Sequence, residues 1–140
     1  MLILFFICLL TFYVAWNLGA NDVANSMGTS VGSKAITLHQ AIIIAAIWEF
    51  CGAVFFGANV AATLATKIIN PELFSRNPSL LMLGMISVSL SCGIWLQIAT
   101  SQGIPVASSH AIVGAIAGMS LIQGGVNAVD WQNLTVISLG

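Results

Sequence analysis

Residues 19–34, GANDVANSMGTSVGSK, interrupt what would otherwise be continuous apolar chain. They follow a run from Met1 to Trp16 and precede another that begins near Ala41. Asn17, Asn21 and Asn25 recur every four residues, so on a helix they share one face. Asp22 sits beside that face, and Ser26 lies one turn after it. Gly19, Gly28 and Gly32 predict that the helix loosens or breaks here, freeing backbone groups to act as ligands. Asp22, Asn25 and Thr29, with unwound backbone, make an oxygen-rich cage for a small cation such as Na⁺. The plain alternative is a polar loop in water. Against it, the only charges in the stretch are Asp22 and Lys34, and intramembrane charges are few because each is costly.

Composition agrees with a membrane setting. The chain has 140 residues, is 59% hydrophobic and 5% charged, and has a mean hydropathy of +1.03. Soluble domains carry about 25% charged residues. The expected class is therefore an all-α integral membrane protein, a multi-span helical bundle. At about 20 residues per crossing, this length holds four to five spans or hairpins. A net charge of −1 and the lack of a basic patch give no reason to expect a nucleic-acid partner. Cys8, Cys51 and Cys92 all lie within apolar runs and lack the spacing of a metal site or disulfide framework. No nucleophile–base pair points to an enzyme, and no cofactor is implied. The first run lacks a positive n-region, so it reads as a retained helix rather than a signal peptide.

In chain order, the predicted spans are about 1–18, 37–65 and 80–101, with a hairpin or half-helix over 105–122 and the start of a further span at 134–140. Thr37 is a candidate N-cap for the second. Glu49 stands about midway along that helix, where a carboxylate costs roughly 2.5–3.5 kcal/mol or more unless protonated or paired. It reads either as a hydrogen bond to a neighbouring helix or as a cation ligand or proton carrier. Gly52, Ala53, Gly57, Ala58, Ala61 and Ala62 give the same helix a small-residue stripe suited to close packing. Residues 67–79, with Asn70-Pro71, Glu72, Arg76 and Asn77-Pro78, read as an aqueous loop. The third span carries Ser87, Ser89, Ser91, Gln97 and Thr100, expected to bond between helices. After Pro105, the segment from Ala111 to Ile122 is too short to cross a bilayer and suggests a re-entrant hairpin or half-helix. Its start, with Ser108 and Ser109, offers free amides and hydroxyls to an oxyanion, or is an ordinary serine cap. His110 reads as a ligand or as a hydrogen-bonded helix-end residue. Asn133-Leu134-Thr135 matches a glycosylation sequon.

With these stretches in view, the chain resembles the inorganic phosphate transporter (PiT) family. Residues 19–34 look like that family's G-A-N-D-V-A-N-x-x-G-T-x-V-G-[SA] motif. Ile47–Ala53, IWEFCGA, resembles its following helix with a glutamate, and Pro105–Gly118, PVASSHAIVGAIAG, its hairpin. Ala107 stands where the family pattern has its first hairpin serine. The resemblance implies symport of inorganic phosphate coupled to Na⁺ or H⁺ across a plasma or inner membrane. It places phosphate at Asn21, Asp22, Ser108, Ser109 and His110, and the coupling cation at Asp22, Asn25, Glu49 and Thr29. Family members carry two inverted copies of this unit with the site between them. One GANDVAN motif and one Ser-Ser-His tip make residues 1–140 one such unit. A second inverted half, on the same chain or another subunit, joins phosphate and membrane lipid as an expected partner. The competing readings are a sulfate permease of the same fold, a cation pathway using Asp22 and Glu49, and a non-transporting membrane subunit.

Overall fold

The computed structural model describes residues 1–67 and 78–139, and the aqueous loop expected at 67–79 lies almost wholly outside them. The regular elements are helices: α1 (Leu2–Gly32), α2 (Leu38–Lys67), α3 (Pro78–Ser101), α4 (Ser108–Gly124) and α5 (Trp131–Leu139). A 3-10 turn, Val126–Ala128, links α4 to α5. Three segments, Leu2–Gly32, Leu38–Leu64 and Ser79–Ser101, are long and apolar enough to cross a membrane. Helices suit that role because they satisfy their own backbone where no water is available.

α1 corrects the expectation of a helix that ends near residue 18 and then breaks. It runs unbroken through the whole polar stretch for 31 residues, about 46 Å at 1.5 Å per residue. Each glycine inside a helix costs roughly 1 kcal/mol, whereas an unsatisfied backbone group in hydrocarbon costs several. Keeping the helix is the cheaper outcome. The polar groups gather on one side of it, so the interruption visible in the sequence is a change of face rather than of backbone.

The end of α1 is closed by a Schellman motif. Ala35 N–H donates to Ser30 O at 3.1 Å and Lys34 N–H to Val31 O at 3.0 Å. Lys34 occupies the left-handed position, φ 61°, where glycine is usual. Three residues later α2 begins with a capping box. Gln40 N–H donates to Thr37 Oγ1 at 3.3 Å, and Thr37 N–H donates to Gln40 Oε1 at 2.9 Å. Thr37 is thus the cap that the sequence predicts.

α3 lies between α1 and α4. Its buried stripe, Gly84, Val88, Cys92, Leu96 and Ala99, keeps to one helical face. Two glycines set the approach distances. A Cβ on Gly93 would sit 2.6 Å from the Tyr13 ring of α1, and one on Gly84 would sit 2.9 Å from Met119 Sδ of α4. Val88, Val113, Ile116 and Met119 form the core between α3 and α4, with Leu134 and Ile137 of α5 packed against it. Small residues at such crossings let membrane helices meet closely.

The serines of α3 do not join helices as expected. Ser87, Ser89 and Ser91 donate to Gly84 O, Met85 O and Val88 O of their own helix. A hydroxyl is short and finds a carbonyl one turn back before it reaches a neighbour. Gln97, with a longer side chain, does cross, accepting a short hydrogen bond from Tyr13 Oη. α2 touches α1 only lightly. Two glycines of its small-residue stripe stand in open space: a Cβ on Gly52 or Gly57 would meet nothing within 4 Å among the described residues.

Candidate functional site

The polar face of α1 meets the chain just before α4. Residues 104–107 belong to no helix because Pro105 disfavours the helical region for Ile104 and breaks any continuing ladder. The segment therefore carries backbone carbonyls with no helical partner. Val106 O accepts two of the predicted amides, Asn21 Nδ2 at 2.8 Å and Asn25 Nδ2 at 2.9 Å. Asn21 is only 2% exposed, so it is fixed in this contact. Asn17, one turn earlier and also buried, instead turns back on its own helix and donates to Tyr13 O.

Asp22 connects the two elements. One carboxylate oxygen accepts from Asn21 Nδ2 and the other from Ser108 Oγ, each at 3.2 Å. Ser108 is the first residue of α4, whose N-cap, Ala107, has no side-chain cap bond. The positive end of α4 thus faces a carboxylate from another helix, a favourable arrangement. With their amide nitrogens engaged as donors, Asn21 and Asn25 keep their Oδ1 atoms as acceptors, to set with the Asp22 carboxylate. This is the hard-oxygen donor set a small cation prefers.

Glu49, on α2, meets α1 at Gly19, three residues before Asp22. Its Oε2 is 3.6 Å from where a Cβ on Gly19 would be, and Asp22 is near enough for the two charges to repel. Among the described residues Glu49 makes no hydrogen bond, so the interhelical bond, one of its two readings, is not formed. A cation shared between the two carboxylates would relieve their repulsion.

The remaining predicted residues are adjacent but not joined to the network. Thr29 is exposed one turn beyond Asn25, and its side chain makes no hydrogen bond among the described residues. Ser109 and His110 are exposed in the first turn of α4. Their backbone amides have no partner within the helix, as at any helix start. No group of three or more His, Cys, Asp or Glu that could hold a metal ion occurs among the described residues. Sequence reasoning missed two features. One is the Val106 carbonyl, whose only signal was the proline before it. The other is the Tyr13–Gln97 tie, which aligns α1 on α3 two turns before Asn21.

Comparison with known proteins bears on this junction directly. A family model described as the phosphate transporter family matches residues 18–140, which include Asn21, Asn25 and α4. The chain belongs to that family. It is 46% identical over 127 residues to inorganic phosphate transporter 2-1, chloroplastic, of Arabidopsis thaliana, covering 91% of this chain and 22% of that protein. It is also 46% identical over 122 residues to the phosphate-repressible phosphate permease of Neurospora crassa, covering 87% of this chain and 21% of the relative. A solved structure described as "The sodium-dependent phosphate transporter" superposes with a TM-score of 0.90 at 43% identity, over 99% of this chain and 34% of that one. The chain thus spans between about a fifth and a third of the length of these phosphate transporter relatives. Family membership and three helices long and apolar enough to cross a membrane make it an integral, multi-pass membrane protein.

Proposed function

We propose that this chain is one unit of a sodium-coupled pathway for inorganic phosphate. The observation that carries the reading is the junction at Asp22, where the asparagine face of α1 and the start of α4 share hydrogen bonds. In this reading the cation sits among Asp22, Asn25 and Glu49, with Thr29 on its approach. Phosphate sits at the start of α4, held by Ser108, Ser109, His110 and the Asn21 amide. The solved relative is described as sodium-dependent, which supports sodium as the coupling ion.

The chemistry requires both ions. Phosphate brought alone to the start of α4 meets the Asp22 carboxylate at hydrogen-bond range and is repelled by it. A cation bound at Asp22 first cancels that charge, and the Ser108 hydroxyl can then turn from the carboxylate to the anion. Each ion raises the affinity of the other, and by linkage the effect is reciprocal. Glu49, Ser109 and His110 are exposed in this chain. We assign their missing cover to a second, inverted half, in the same polypeptide or another subunit.

The test is uptake of ³²P-labelled phosphate into proteoliposomes, with and without a sodium gradient and with excess sulfate as competitor. It is run on this chain and on the longest reading frame that contains it. Sodium-stimulated, sulfate-resistant uptake by the longer protein alone is the expected result. Uptake driven by protons alone, or abolished by sulfate, would overturn the ion or the substrate respectively.

A further inference from the structure

The α2 side of α1 borders a second feature that the phosphate reading does not use. Between α1 and α2 runs an open groove of about 810 Å³, walled almost wholly by apolar side chains such as Trp16, Val23, Met27, Val31, Leu38 and Ile42. Nothing among the described residues fills it, and a Cβ on Gly28, in its lining, would meet no atom within 4 Å. At its mouth the groove passes into a smaller hollow of about 320 Å³ that shares Val31 and Leu38 with it and is bordered by Lys34 and Thr37. Lys34 is the only lysine or arginine whose side chain is described, and it makes no ion pair among the described residues.

Its backbone is unusual as well. Lys34 holds φ 61° at a helix-ending position where glycine is the ordinary choice. A side chain kept at a strained position points to a use for that side chain. An ammonium at the rim of an apolar groove in a membrane helix pair is complementary to an anionic headgroup with its acyl chain below. The dimensions agree. Half of a ~30 Å hydrocarbon core is the rise of about ten helical residues, so a chain anchored at Lys34 would lie along α1 as far as Ala24.

From the groove, its charged mouth and the left-handed lysine, we infer that the α1–α2 cleft is a binding site for one anionic phospholipid, its headgroup on Lys34 and an acyl chain against Gly28 and Met27. The site lies between α1 and α2, so a lipid there would support α1 on its α2 side.

The experiment places the chain, and separately the longest reading frame containing it, in vesicles of phosphatidylcholine with a small fraction of a diazirine-tailed lipid. That lipid is either phosphatidylglycerol or phosphatidylcholine, and labelled peptides are mapped after irradiation. Phosphatidylglycerol should label the 24–32 and 38–42 segments several-fold more than the neutral lipid. Lys34→Gln should lower that preference about fivefold, the weight of one lysine near a charged surface. Gly28→Leu, at a position where a Cβ meets no atom within 4 Å, should block labelling by both lipids while the protein still inserts. Equal labelling by the two lipids, or a preference untouched by Lys34→Gln, would overturn the site. So would loss of the preference in excess inorganic phosphate, which would make it a small-anion site. A disulfide-linked Gly28→Cys dimer that excludes lipid would assign the groove to a second copy. Labelling of the short chain but not of the longer protein would assign it to another part of that protein. Either result would refute the proposal.

Discussion

Removing Asn21 and Asn25 one at a time and then together gives a sharp test of the junction. Both donate to the same acceptor, Val106 O, but only Asn21 also donates to Asp22. Asn21→Ala therefore loses one neutral hydrogen bond, about 0.5–1.5 kcal/mol, and one to a carboxylate, about 1.5–3 kcal/mol. Asn25→Ala loses one neutral bond, about 0.5–1.5 kcal/mol, and leaves Val106 O still held by Asn21. In either single variant the carbonyl keeps a partner. The double variant strips it, adding a penalty of about 1–3 kcal/mol for an unsatisfied group. The loss should thus exceed the sum of the two singles, as expected for residues sharing one partner. The assay is unfolding in mixed detergent micelles by increasing mole fraction of dodecyl sulfate, followed by far-UV circular dichroism. Asn25→Ala as damaging as Asn21→Ala, or a strictly additive double variant, would refute the shared-acceptor geometry.

Three further outcomes follow from other contacts. Asp22→Asn and Glu49→Gln should each abolish sodium-stimulated phosphate uptake by the longer reading frame while membrane insertion stays intact; normal uptake in both would remove these carboxylates from the site. Gly93→Ala should destabilise the chain by about 1–3 kcal/mol, because its Cβ would collide with a Tyr13 ring held by Gln97, whereas Gly28→Ala should be neutral or stabilising by up to about 1 kcal/mol; the dodecyl sulfate titration ranks them, and equal effects would count against the α1–α3 approach. Thr37→Ala should lose about 1 kcal/mol through the capping box, with faster amide hydrogen exchange confined to the first turn of α2.

The four-residue spacing of Asn17, Asn21 and Asn25 was enough to place a polar face on α1, and two of the three amides do converge on one acceptor. The same composition misled as to where α1 ends. Gly19, Gly28 and Gly32 suggested a break, although the helical period of the polar residues already allowed them to share one side of an intact helix. The start of α4 near Ser108 was legible because Pro105 and the length of the following apolar run both constrain it. The Ser108–Asp22 contact was not, since it joins residues 86 positions apart. The α3 serines show the converse limit. Their number suggested interhelical bonding, but a hydroxyl's reach favours its own helix, and sequence spacing does not report which carbonyl is nearer.

The Val106 carbonyl has a practical consequence for anyone mapping this protein by mutation. The group that gathers both asparagines is main chain, so exchanging the residue at position 106 leaves the acceptor in place. An alanine scan would pass over it in silence and report only its two donors. An ester substituted for the amide between Val106 and Ala107, which weakens the carbonyl as an acceptor without altering any side chain, would make the contribution visible.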